Sequence, residues 1–122
     1  MAQRKSGYAR QAHDWYPTPQ WPVEALREHV VLRGLSVWEP AAGDGSMARA
    51  LVACGASVRQ TDLHADEMAR EKDRTASVDF LQAARPPGGV EAIVTNPPFG
   101  SGGSLAVDFA SHALELMRQP GS

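Results

Sequence analysis

The sequence predicts an α/β fold built on a mostly parallel sheet. Three observations carry that expectation. Short strand-like segments alternate with helix-like segments along the chain, the pattern of strands joined by helical crossovers. A glycine-rich turn, Ala41 to Gly45, follows the first strand-like segment and opens a helix. A double-proline turn, Asn96-Pro97-Pro98-Phe99, follows the segment richest in strand-forming residues.

Each element has a local reason. Residues 1–14 are polar, carry Arg4, Lys5 and Arg10, and read as a flexible basic arm. Trp15-Tyr16-Pro17-Thr18-Pro19 reads as extended, because each proline pushes its predecessor out of the α region. Pro22 suits the first turn of a helix. Val23, Leu26 and Val30 follow at helical spacing until Arg33-Gly34 stops the element. Leu35-Ser36-Val37-Trp38 reads as a buried strand. Met47, Leu51 and Val52 continue as a helix ended by Gly55. Ser57 to Thr61 is a second strand, closed by Asp62. Ala65 to Arg74 reads as a short polar helix, and Val78-Asp79-Phe80-Leu81 as a third strand or strand end. Pro86-Pro87-Gly88-Gly89 is a loop. Val90 to Thr95 is the next strand. Ser104 is placed to cap a last helix carrying Leu105, Phe109, Ala113 and Leu116 on one face.

Composition narrows the class. At 122 residues the chain has the length of one domain. With 43% hydrophobic and 21% charged residues it is an ordinary globular mixture. No apolar run approaches membrane length, and no apolar stretch follows Arg4-Lys5 as a secretory signal requires. A cytoplasmic protein without a membrane partner is expected. A single cysteine, Cys54, excludes an intramolecular disulfide and suits a reducing compartment. It sits at a helix end with no histidine beside it, so a packed thiol is expected rather than a nucleophile. His13, His29, His64 and His112 show no metal-ligand spacing, and no metal is expected. The formal net charge of -2 gives no bulk electrostatic reason for nucleic-acid binding. Arg4, Lys5 and Arg10 read more readily as a solvated arm than as phosphate contacts.

The two turns carry the chemistry. Glycines at Gly43 and Gly45 let the backbone turn sharply and approach a ligand closely. The helix that follows offers free N–H groups to a carboxylate or phosphate. Asp62, ending the next strand, can accept hydrogen bonds from ribose hydroxyls. Gly43-x-Gly45-x-x-Ala48 also fits the loose dinucleotide pattern, and a plain structural turn competes with both readings. Glu39 shifts the balance: an acid before the turn attracts an amine or sulfonium and repels a pyrophosphate. At the second turn, the two prolines fix φ twice. They hold the side-chain amide of Asn96 and the carbonyl of Pro97 as acceptors aimed at one spot. An exocyclic aromatic amine could donate both its protons there. Its lone pair is delocalised into the ring, and two acceptors favour the pyramidal, nucleophilic form as charge develops. Phe99 can stack on the ring that carries the amine.

Together these segments resemble the S-adenosylmethionine-dependent amino-methyltransferases, especially the DNA adenine-N6 type of phages and prophages. The resemblance runs from Asp14 to about Met117. Asp14-Trp15-Tyr16-Pro17-Thr18-Pro19 resembles the family's N-terminal cofactor motif, which places Tyr16, Pro17 and Thr18 against the cofactor. Glu39-Pro40-Ala41-Ala42-Gly43-Asp44-Gly45 is similar to its Asp/Glu-Pro-x-x-Gly-x-Gly loop. Asp62, with Leu63 beside it, matches the ribose-binding acid. Asp79-Phe80 resembles the pair whose carboxylate reads the cofactor adenine while the aromatic packs nearby. Asn96-Pro97-Pro98-Phe99 matches the catalytic tetrapeptide.

The resemblance implies a Rossmann-like class I sheet, S-adenosylmethionine as cofactor, and in-line methyl transfer without a covalent enzyme intermediate. DNA is the implied partner, with the target base flipped out of the duplex. The same tetrapeptide occurs in enzymes acting on protein glutamine and on RNA bases. A non-catalytic cofactor-binding remnant and a dinucleotide-binding oxidoreductase domain are the other readings. The implied fold has seven strands, and about four are visible here. Residues 15–118 therefore read as the cofactor-binding and catalytic-turn part of a truncated domain, with 119–122 as a tail. A second copy or a complementing C-terminal half is expected to cover the exposed sheet edge.

Overall fold

A computed structural model of the chain describes residues 19–65 and 75–118. Helix α1 (Trp21–Arg27) leads to strand β1 (Ser36–Glu39), helix α2 (Ser46–Ala53) and strand β2 (Ser57–Asp62). Strand β3 (Ala76–Ser77) precedes a 3₁₀ turn at Phe80–Gln82, and strand β4 (Ala92–Ile93) precedes helix α3 (Ser104–Met117). The four strands run in the order β3-β2-β1-β4, and every pair is parallel. This is an α/β arrangement.

β1 is the central strand that joins the two halves of the sheet. Its register pairs Ser36 with Ser57 and Glu39 with Gln60 on one side, and Trp38 with Ile93 on the other. Successive side chains of a strand point to opposite faces. Val37 accordingly enters one apolar cluster, with Val23, Leu32, Met47 and Leu51 from the α1 and α2 side. Trp38 enters the other, with Phe80, Leu81, Phe109 and Leu116. The second cluster is aromatic at its centre. The Phe80 ring lies 4.8 Å from Phe109, stacked at 30°, and 5.2 Å from Trp38, edge-on at 70°. The Trp38 indole N–H donates to Thr61 Oγ1 at 2.9 Å, so its polar atom is satisfied inside the core. Helices thus cover both faces of a parallel sheet.

Several expectations need correction. α1 ends at Arg27, and Leu32 rather than Val30 fills the core beneath it. Val52 is 55% exposed, because its neighbour Leu51 takes the inward position on α2. The third strand is Ala76–Ser77, not Val78–Leu81. The Asp79 carboxylate accepts the Leu81 N–H at 3.1 Å, and this local bond draws the chain into the 3₁₀ turn. Only Ala92–Ile93 of the segment Val90–Thr95 pairs as a strand. Ser104 does not cap α3: left-handed Gly103 occupies that position, and the Ser104 hydroxyl donates to the Ser101 carbonyl. Leu105, Phe109, Ala113 and Leu116 do face the core. Cys54 is half-buried against the first cluster. The basic arm, Tyr16-Pro17-Thr18, the polar helix beyond Ala65 and the tail lie outside the described residues. Among the described residues, no helix is long and apolar enough to cross a membrane.

Candidate functional site

Parallel strands bring their carboxyl ends to one sheet edge. β2 lies on one side of β1 and β4 on the other, so the chain changes direction across β1. A crevice at such a switch point is where open α/β sheets hold ligands. Glu39 ends β1, Asp62 ends β2, and Thr95 and Asn96 follow β4 at this edge.

The turn after β1 is built from the inside. Pro40, Ala41, Ala42 and Gly45 are buried. Gly43 and Gly45 take left-handed backbones, at φ 55° and 86°, which side chains rarely adopt. Its amides are spent within the protein. Ala41 N–H donates to Glu39 Oε1 at 2.8 Å, and Ala42 N–H to the Thr61 carbonyl at 3.0 Å. Gly43 N–H donates to Asp62 Oδ2 at 2.9 Å. Gly45 N–H goes to the Ala42 carbonyl and Ser46 N–H to Asp44 Oδ1, each at 2.9 Å. The amides of Ala41, Ala42, Gly43, Gly45 and Ser46 are therefore bonded inside the protein.

Two buried acids underlie the turn. Glu39 is 1% exposed and Asp62 is 0% exposed, and they are the buried charged residues among those described. Burial raises the Glu39 carboxyl from its ordinary 4.5 to about 7. Hydrogen bonds from Thr95 and from the amides of Ala41 and Asn96 oppose that rise, and the Asp62 charge adds to it. The Thr95 hydroxyl donates to the same Glu39 Oε1 that Ala41 uses, at 2.5 Å. Asp62 accepts Gly43 N–H through one oxygen and His64 N–H, at 2.8 Å, through the other. Its carboxylate thus joins two turns from beneath rather than facing solvent. Leu63 lies half-buried in the second of them.

The turn after β4 has the opposite character. Asn96 is exposed and Phe99 is 49% exposed, while Pro98 is buried and Pro97 half-buried. The Phe99 carbonyl accepts from Leu105 N–H at 3.0 Å and Ala106 N–H at 3.4 Å, which fastens the turn to the start of α3. Gly100, at φ 68°, allows that approach: a Cβ there would stand 2.6 Å from Leu105 Cβ. Asp79 is half-buried beyond β3, and Phe80 is wholly buried in the aromatic cluster with Trp38 and Phe109.

Glu39, Pro40, Ala41, Gly43, Gly45, Asp62 and Asn96 to Phe99 therefore share one edge of the sheet. Thr95 belongs with them and was not anticipated. Threonine at a strand end is common for reasons of strand preference alone, so the sequence carries no separate signal for it. Chemically, the edge combines an acidic interior with a rigid turn that presents an amide and an aromatic ring. An acidic interior with its backbone donors occupied suits a cationic group and disfavours a diphosphate. No family model, curated protein or solved structure matches the chain.

Proposed function

We propose that the chain is the cofactor-binding and catalytic-turn part of an S-adenosylmethionine-dependent amino-methyltransferase with a Rossmann-like class I sheet. The proposed acceptor is adenine N6 in DNA. The observation that carries this reading is the meeting of the two turns at Glu39. The exposed Asn96 is bonded, through its own amide and through Thr95, to the acid that also holds the glycine turn. When bound, S-adenosylmethionine supplies an electrophilic methyl group on a sulfonium.

The chain's own residues do the rest. Glu39 and Asp62 give the floor of the glycine turn a negative potential that favours a cationic ligand. Asp62 holds the backbones that would line the ribose, and Asp79 stands beyond β3 for the adenine amine. The Asn96 side-chain oxygen and the Pro97 carbonyl accept hydrogen bonds from the two N–H groups of the target amine. They stabilise the charge that develops on its nitrogen during transfer. Phe99 stacks on the flipped base. The product ammonium is acidic and releases its proton to water, so no strong base is required.

The acids Glu39 and Asp62 beneath the glycine turn, with the Ala41 and Gly43 amides bonded to them, count against the dinucleotide reading, because they repel a pyrophosphate. β4 ends the sheet with two paired residues and no strand beyond it among the described residues. That open edge supports a second copy or a complementing C-terminal half as partner. Cys54 accords with a reducing cytoplasm.

Calorimetry with S-adenosylhomocysteine, and transfer of labelled methyl groups to unmethylated DNA, RNA and protein, test the proposal. Binding and transfer to DNA adenine are expected. Absence of both, with and without a complementing C-terminal fragment, would overturn it. NADH binding in their place would favour the oxidoreductase reading.

A further inference from the structure

We propose that Thr95 and Glu39 form a latch that couples the position of Asn96 to the glycine turn, making Thr95 a positioning residue for the transfer reaction. This inference rests on the methyl-transfer reading above. Thr95 and Glu39 stand 56 positions apart in sequence and meet side chain to side chain. The ladder between β1 and β4 has no pair beyond Trp38 and Ile93, and the Val94 N–H bond to the Trp38 carbonyl extends it by one residue. Past that bond, the segment leading into Asn96 is tied to β1 through the Glu39 carboxylate, by the Thr95 hydroxyl and the Asn96 amide. The same oxygen that takes the Thr95 hydroxyl also takes Ala41 N–H. One buried group therefore sets the distance between the two turns.

The surroundings of Glu39 fit this role. From the glycine turn it meets the Ala41 amide, from the end of β4 the Thr95 hydroxyl and Asn96 amide, and from the end of β2 the charge of Asp62. All three hydrogen-bond partners are donors, which an ionised carboxylate satisfies best. A carboxyl raised to about 7 sits near the point where it exchanges that form for the neutral one. The acceptor geometry at Asn96 is then a shared property of two distant segments. Small displacements of such a group are costly: about 1 Å can lower a rate roughly a hundredfold.

The test compares Thr95→Val with Thr95→Ser in the full chain. Valine keeps the shape and strand preference and removes the hydroxyl; serine keeps the hydroxyl. Carbon-13 NMR of the Glu39 carboxyl should show its titration midpoint moved upward by about one pH unit in Thr95→Val, because a donor to the ionised form is lost. The Asn96 amide resonance should shift as well, and Thr95→Ser should restore both. In transfer assays kcat should fall roughly tenfold to a hundredfold in the valine variant. At about pH 9, where Glu39 is ionised in both proteins, affinity for S-adenosylhomocysteine should stay within about twofold. Thr95→Ala takes the place of the valine variant if the latter unfolds. An unchanged Glu39 titration and Asn96 resonance would overturn the latch. So would failure of serine to restore them, or an unaltered kcat in an active protein. If the wild-type chain neither binds S-adenosylhomocysteine nor transfers methyl groups, the transfer reading fails, and the titration alone decides the latch.

Discussion

The turn that follows β1 and the turn that follows β4 share a sheet edge, yet they are held by different means. In the first, the backbone is buried and its donors are consumed by Glu39, Asp62 and neighbouring carbonyls. In the second, the backbone is stiffened by Pro97 and Pro98 and fastened to α3, and Asn96 and Phe99 are left exposed. The first turn places two carboxyl groups in a desolvated interior, at a cost to stability as Glu39 ionises. The second places an amide and a ring at the surface on a rigid base. A site that must grip a cofactor and meet a large substrate needs both kinds of support. Stability and reaction should therefore respond separately to changes in the two turns.

The largest separation is expected at Asn96. Asn96→Ala should lower methyl transfer by about 10²–10³-fold, the usual loss when one stabilising contact to the transition state is removed. Its exposed side chain predicts a melting temperature within about 2 °C of wild type. A large fall in melting temperature would show that the second turn also supports the fold. Unchanged transfer would remove Asn96 from the reaction.

Glycine substitutions sharpen the contrast. Gly100→Ala should cost about 3 kcal/mol in urea unfolding, since a strained backbone and a collision with Leu105 act together. Gly43→Ala should cost about 1 kcal/mol, because its φ is strained but the nearest atom to a new Cβ is the Ala41 carbonyl oxygen at 4.0 Å. Equal costs would mean that close packing against α3 is not what holds the second turn.

Glu39 gives the comparison a pH signature. Its folded-state carboxyl titrates near 7 against an ordinary 4.5, so the native state binds the extra proton between those values. Its stabilising contribution is complete below about 4.5 and is lost as pH rises to about 7. The change amounts to at most about 3 kcal/mol. Glu39→Gln should flatten this part of the stability profile and leave the chain no less stable at pH 8, while weakening S-adenosylhomocysteine binding. Denaturant melts across pH 4.5 to 8 would show it, and an unchanged slope would remove Glu39 as its source. The smallest effect is expected at Phe99. Phe99→Ala should change stability by about 0.5 kcal/mol or less and act chiefly on substrate affinity, measured as KM for DNA.

The sequence made legible what depends on neighbours in the chain. Helix–strand alternation, the two turns and the inward face of α3 follow from local spacing, and Phe109 and Leu116 are buried as that spacing requires. Partnership across the sheet was harder to read. Nothing near Ala42 and Gly43 tells that their amides are bonded, because their partners Thr61 and Asp62 lie on another strand. Thr95 looked like a strand residue until β4 came to rest beside β1. Asp79 read as part of a strand, and its bond to Leu81 makes it the cap of a 3₁₀ turn instead. That Asp62 also holds two loops was hidden for the same reason: Gly43 and His64 reach it only in the folded chain.

The alternation along β1 has a consequence for folding. Val37 and Trp38 feed opposite layers, and Glu39 reaches the two turns from the next position. A slip of β1 by a single residue would drive Trp38 into the layer shaped for Val37 and carry Glu39 away from Thr95. Misaligned chains would lose both cores and the site together. The central strand thereby acts as a proofreader: the pairing that completes the interior also aligns the groups proposed to do chemistry.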